Sequence, residues 1–150
     1  MNNVLIRNVL EKDLPFIENL INELIASLDD KEGIEKDLAI KNFKKILKDK
    51  NSNFLIAEID KRVVGFINFI TRKTLLHSGL SGLIDELVVS QAYQNKGIGQ
   101  YLIQKAIEEC KKLGCCEIEV STEYENKKAI RFYKKFGFEE KGILFEKELL

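Results

Sequence analysis

The run Ile84-Asp-Glu-Leu-Val-Val-Ser-Gln-Ala-Tyr-Gln-Asn-Lys-Gly97-Ile-Gly99-Gln-Tyr-Leu102 decides how this chain folds. Leu87 to Val89 is a continuous apolar stretch that reads as a strand, and a polar turn after it leads to Gly97 and Gly99. There an amphipathic helix begins, with Ile98, Leu102, Ala106, Cys110 and Leu113 at core-facing spacing. The first N–H groups of a helix lack intrahelical partners and the helix dipole is positive there, so this junction is suited to an anion. Glycine lets the backbone approach a phosphate with no Cβ in the way, and Lys96 adds a positive charge. The segment Gln94, Asn95, Lys96, Gly97, Ile98, Gly99 and Gln100 is therefore expected to cradle a phosphate.

Upstream, Val4 to Val9 reads as a first strand, and Asp13-Leu-Pro opens a helix with Asp13 as its cap. Leu14, Ile17, Ile21, Leu24, Ile25 and Leu28 form one apolar stripe along that helix. A second helix, roughly Ile34 to Asp49, turns Leu38, Ala39, Phe43, Ile46 and Leu47 inward and its lysines outward. Phe54 to Ile59 and Val63 to Arg72, joined by Asp60-Lys-Arg, predict an antiparallel hairpin, and Thr74 to Gly82 a loop carrying His77. Downstream, Gly114 stops the central helix, Cys116 to Thr122 reads as a strand, and Asn126 to Phe136 as a short helix closed by Gly137. Ile143 to Leu149 is expected to form a last strand. The sum is one domain, residues 1–150, of α/β class with a mixed sheet flanked by helices.

The glycine loop lacks the third glycine of a dinucleotide-binding fingerprint, since that position is Leu102, and no Gly-Lys-Ser/Thr follows as in a nucleotide-triphosphate loop. Its pattern, Gln94-x-x-Gly97-x-Gly99, resembles the first motif of the GNAT-type N-acetyltransferase superfamily, at the same place between strand and helix. The second motif of that family, Asn-x-x-Ala-x-x-Phe-Tyr-x-x-x-Gly-Phe, matches Asn126, Ala129, Phe132, Tyr133, Gly137 and Phe138. A glycine pair alone is an ordinary turn; two motifs in order, with a helix and a strand between, are far more specific.

This resemblance implies the acyl-CoA N-acyltransferase fold, with a mostly antiparallel central sheet, and acetyl transfer from acetyl-CoA to an amine. The pyrophosphate of CoA would rest on the backbone from Gln94 to Gln100. Its pantetheine arm would run beside the strand Leu87, Val88 and Val89, bonded to the main chain of Leu87 and Val89 as an added strand would be. Asn126 would cap its helix and touch the same arm. Tyr133 would be the general acid for the departing thiolate, since a neutral phenol of reference pKa about 10 can protonate a thiolate whose acid has pKa about 8.5.

An alkylamine of reference pKa ~10.4 is neutral in only about one molecule in 10³ at pH 7, an apparent barrier of roughly 4 to 5 kcal/mol. A base must remove that proton, and Asp85 or Glu86 stands just ahead of the acetyl position, as an acidic pair does in the diamine acetyltransferases of the family. Strand neighbours face opposite ways, so one of the two is expected to reach the substrate, and a bulge would change which. Many relatives carry the carboxylate further upstream, where this chain has Leu83. Either acid could equally be a solvated charge at a strand start. The acidic pair favours a cationic small molecule, such as a polyamine or aminoglycoside, over a protein N-terminus. Three other readings stay open: a non-catalytic acyl-CoA-binding regulator, a protein N-terminal or lysine acetyltransferase, and a general nucleotide-binding module.

Composition narrows the partners. Twenty-four basic residues balance 24 acidic ones, leaving no global field for nucleic acid. No apolar run approaches membrane-spanning length, and the N-terminus turns charged at Glu11, Lys12 and Asp13, unlike a signal peptide. Cys110, Cys115 and Cys116 lack metal-site spacing and read as reduced thiols, so a cytoplasmic protein without metal is expected, with a homodimer as one possible assembly.

Overall fold

Five strands pair in chain order in the computed structural model, which describes residues 3–28 and 34–150. They are β1 (Leu5–Asn8), β2 (Ser52–Ile59), β3 (Arg62–Lys73), β4 (Leu80–Val89) and β5 (Cys115–Val120). The β1–β2, β2–β3 and β3–β4 pairs are antiparallel, whereas β4 and β5 run parallel. A parallel pair needs a crossover, and α3 (Ile98–Lys112) supplies it. The expectation of a mixed, mostly antiparallel sheet with flanking helices thus holds. Asp60 and Lys61, both at positive φ, make the tight β2–β3 turn.

Each face of the sheet has its own core. Ile17, Leu20 and Ile21 of α1 (Leu14–Ser27) and Phe43 of α2 (Lys36–Ile46) pack on Phe54, Ile56, Val63, Phe66 and Val88. On the other face Ile98, Leu102, Ile103, Ala106 and Cys110 of α3 meet Leu55, Ile67, Phe69 and Ile84. Phe132, Tyr133 and Phe136 of α4 (Lys127–Lys135) and its C-cap, with Phe138, lean on that second core. Both cores use residues of the same strands, because alternate side chains of a strand point to opposite faces.

Several expectations give way. Asp13 stands at the start of α1 but does not cap it: its carboxylate turns back to accept from Arg7 and from the Leu10 N–H at 2.8 Å. A guanidinium so close is a stronger partner for a nearly buried carboxylate than a single amide. Leu38 and Leu113 are exposed, as is Leu28 at the end of α1; all three sit at the edges of their helical stripes. The loop after β3 ends earlier than expected, since β4 already begins at Leu80 and pairs with Lys73. Ile143 to Leu149 forms no strand, and Phe145 is 89% exposed: an apolar run becomes a strand only where it pairs with a sheet edge, and this one does not.

Candidate active site

The parallel pairing of β4 with β5 stops at Ile84↔Val120, while β4 runs on to Val89. From Asp85 to Val89 the β4 edge facing β5 is therefore open. The Ser90 N–H donates to the Val64 carbonyl at 2.8 Å, which fixes the hydrogen-bonding phase of this end of the ladder. In an antiparallel pair, bonded and non-bonded positions alternate. Val88 and Glu86 thus turn their main-chain groups toward β3, and Leu87 and Val89 turn theirs toward the open edge. Val88 also buries its side chain against α1, so it presents nothing to the gap. Of the expected stretch Leu87, Val88, Val89, the first and last present main-chain groups to the gap.

At one end of the gap lies the glycine loop. Asn95 and Gly97 take positive φ, and Gly97, at φ 80°, is the N-cap of α3 with no side-chain cap. The N–H groups of Ile98, Gly99 and Gln100 are thereby left at the head of a 15-residue helix, where an anion fits. A Cβ on Gly97 would meet nothing within 4 Å, whereas one on Gly99 would lie 3.5 Å from the Phe132 ring. Gly97 is thus required by its backbone conformation, whereas a Cβ at Gly99 would make an ordinary contact with α4. Gln94 donates through Nε2 to the Val89 carbonyl at 3.1 Å, tying the loop to the strand end. Lys96 Nζ donates to the Ala92 carbonyl at 2.9 Å and sits 5.1 Å from the Tyr93 ring centre, so its charge is held within its own turn.

Asn126 caps α4, its Oδ1 accepting from the Ala129 N–H at 3.1 Å. Two turns on, Tyr133 packs edge-on to Phe132 and Phe138, in the core that includes Leu87 and Val89. Burial pushes its phenol above the ordinary tyrosine value, keeping it protonated at neutral pH.

The acidic pair is resolved by a bulge. Glu86 pairs with Asn68 and Ile84 with Phe69, which leaves Asp85 as an extra residue on β4. Ile84, Leu87 and Val89 belong to the α3 side and Val88 to the α1 side, so Glu86 shares the α1 side with Val88. Both residues are exposed, and partial desolvation raises the carboxyl pKa of each; at Glu86 the neighbouring Asn68 amide counters part of that rise and the charge of Asp85 adds to it. Tyr133 and Glu86 therefore lie on opposite faces of the sheet.

Two residues escaped the reading of the sequence. Glu23 of α1 accepts from Ser90 Oγ at 3.0 Å and the Gln91 N–H at 2.7 Å, anchoring the turn (Gln91–Tyr93) before the glycine loop. Asn68 is buried opposite Glu86. Neither has a local signal, because each partner is distant in sequence. Beside the Glu23 tie a cavity of about 430 Å³ is lined by Phe16, Leu20, Glu23, Arg62 and Tyr93, but neither Glu86 nor Tyr133 lines it. His77 is exposed and pairs with Glu117 at 3.3 Å. Burial pushes the Cys110 thiol up to about 12, far from a reactive thiolate. Among the described residues no three His, Cys, Asp or Glu side chains gather as a metal site, and no helix is long and apolar enough to cross a membrane.

Fold and site together define an enzyme class, and the comparisons with known proteins name it. The pattern of the acetyltransferase (GNAT) family matches residues 17–138, and the chain belongs to that family, as an N-acetyltransferase domain. An uncharacterized N-acetyltransferase of Methanocaldococcus jannaschii is 34% identical over 93% of this chain, which spans 62% of that relative's length. The aminoalkylphosphonate N-acetyltransferase of Salmonella typhimurium is 29% identical, covering 96% of this chain and 90% of its own. The crystal structure of a possible acetyltransferase from Clostridium difficile 630 superposes with a TM-score of 0.86 at 22% identity, covering 98% of each chain, and shares the fold.

Proposed function

We propose that this protein transfers the acetyl group of acetyl-CoA to a primary amine of a small molecule, by direct attack with both substrates bound. The observation that carries this reading is the open β4 edge from Asp85 to Val89, with unpartnered helix N–H groups at its end and Tyr133 beside it. A pantetheine arm is an extended chain of amides, which an open strand edge can receive. A pyrophosphate suits the start of α3. When bound, acetyl-CoA supplies an acyl thioester already activated toward amines.

The chain's own residues do the rest. Glu86, on the α1 side, takes the proton of the incoming ammonium, with Asp85 adding negative charge to attract it. Tyr133 Oη, on the α4 side, gives its proton to the departing sulfur, and the second proton that the nitrogen sheds as the amide forms restores the phenol. Two acids at the acceptor side favour a cationic small molecule, and the Salmonella relative's name specifies an aminoalkylphosphonate. The test is thiol release from acetyl-CoA against a panel of an aminoalkylphosphonate, glucosamine 6-phosphate, spermidine and kanamycin, with product mass measured. Intersecting initial-rate patterns are expected; parallel lines would overturn direct attack. CoA binding with no thiol release for any amine would favour a regulatory domain instead.

A further inference from the structure

Asn68 sits where physical chemistry calls for an apolar residue. It is 3% exposed, and on its face of the sheet its cross-strand partners are Phe54 in β2 and Glu86 in β4. Phe54 belongs to an aromatic group with Phe43 and Phe66. The Asn68 Oδ1 is fully buried and has no hydrogen-bond partner. An amide buried with its oxygen unsatisfied costs stability, and Val or Leu would pack there without that cost. Such an exception in a native core calls for an explanation outside stability.

The register supplies one. Asn68 and Glu86 stand directly opposite at a bonded pair, beside the Asp85 bulge that re-aims this end of β4. Across a bonded antiparallel pair, side chains on one face are neighbours, within reach of an amide and a carboxylate. An amide offers N–H donors to the carboxylate and, unlike Lys or Arg, brings no charge that would compete with a cationic acceptor.

We infer that Asn68 is the positioning residue of the acceptor side: its Nδ2 holds the Glu86 carboxylate ionised and fixed at the bulge. This rests on the reading of Glu86 as the base. Asp85 is the charged neighbour that opposes ionisation of Glu86, and Asn68 is the group that favours it.

The test compares Asn68→Leu, Glu86→Gln and the double variant, using acetyl-CoA with whichever amine of the panel turns over. It adds NMR titration of the Glu86 carboxyl in the amine-free protein. Asn68→Leu is expected to keep or raise Tm, since an unsatisfied polar atom leaves the core. It is expected to lower kcat/KM about tenfold or more, the scale of a misplaced base. The Glu86 titration and the acid limb of kcat/KM should both move to higher pH. The double variant should be no slower than Glu86→Gln alone, because Asn68 acts through that carboxylate. Should Asn68→Leu fail to fold, Asn68→Ser carries the same titration and kinetic readouts. An unmoved Glu86 titration, or losses that add in the double variant, would overturn the role of Asn68 while leaving Glu86 as base. Wild-type rates in Glu86→Gln would instead overturn the base, and the positioning role with it.

Discussion

The Phe132 ring lies against the backbone of Gly99, close enough that a Cβ there would touch it at 3.5 Å. The N-terminus of α3 and the helix that carries Tyr133 are thus coupled by contact at one glycine.

Gly99→Val tests that coupling. A single Cβ fits there at ordinary contact distance, and the two further methyls of valine crowd the Phe132 ring and the proposed cradle; CoA affinity is expected to fall by tenfold or more while the two sheet cores hold. Gly97→Ala is the contrasting variant: its Cβ meets nothing, but φ 80° costs a non-glycine residue roughly 1 to 2 kcal/mol. Its CoA affinity should fall without any perturbation of α4. Calorimetric titration with CoA and NMR shifts of the Phe132 ring measure both. Unchanged CoA affinity in both variants would remove the cradle.

Tyr133→Phe keeps the ring contacts with Phe132 and Phe138 and deletes the hydroxyl. Acetyl-CoA binding should stay within a few-fold while kcat falls by ~10² or more. Tm should hardly move. Single-turnover kinetics decide whether a kcat near wild type reflects a non-chemical rate-limiting step or an acid located elsewhere.

Glu86→Gln should lose most activity near neutral pH and progressively less as pH rises, because a free amine then needs no base. The sign of the stability effect is opposite to that of a salt-bridged acid. A carboxyl whose folded pKa is raised binds its proton more tightly in the folded state, so ionised Glu86 opposes folding above that pKa. Glu86 is exposed, so solvent screens this effect: Glu86→Gln should leave Tm equal or slightly higher at pH 7, and any difference should vanish as pH falls below the ordinary glutamate range. Thermal melts at a series of pH values check this.

Asp13 should behave in the reverse way. Arg7 donates to both of its oxygens, at 2.8 and 2.9 Å, and to Glu58 Oε2 at 2.6 Å, joining β1, the start of α1 and β2. Those bonds to Arg7 hold the Asp13 carboxyl below the usual carboxylate range. Its stabilisation is present above the unfolded aspartate value and is lost as pH falls through the lower folded one. Asp13→Ala leaves Arg7 half-paired beside a nearly buried gap and is expected to cost about 3 kcal/mol in urea unfolding at pH 7. That loss should shrink in acid, and a loss of equal size at all pH values would contradict the ion-pair account.

Sequence alone determined whatever depends on neighbours in the chain. Gly97 at the mouth of α3, Asn126 as the cap of α4, the hairpin between β2 and β3, and the two apolar cores follow from local conformation and from periods of two and 3.6. The two family motifs lie on such local elements, which is why the glycine loop and the helix carrying Tyr133 were legible. Only tertiary structure decided how the acidic pair is presented. Whether Asp85 or Glu86 faces α1 depends on a bulge, and a bulge is a register choice between β4 and β3, made by pairing rather than by either strand's own residues. Asn68 has meaning only opposite Glu86, Glu23 only beside Ser90, and Ile143 to Leu149 could be a strand only against a paired edge. Val88 lies within the stretch expected to bind the cofactor, but its main-chain groups face away from the gap, because the hydrogen-bonding phase set at Ser90 and Val64 turns alternate residues from it.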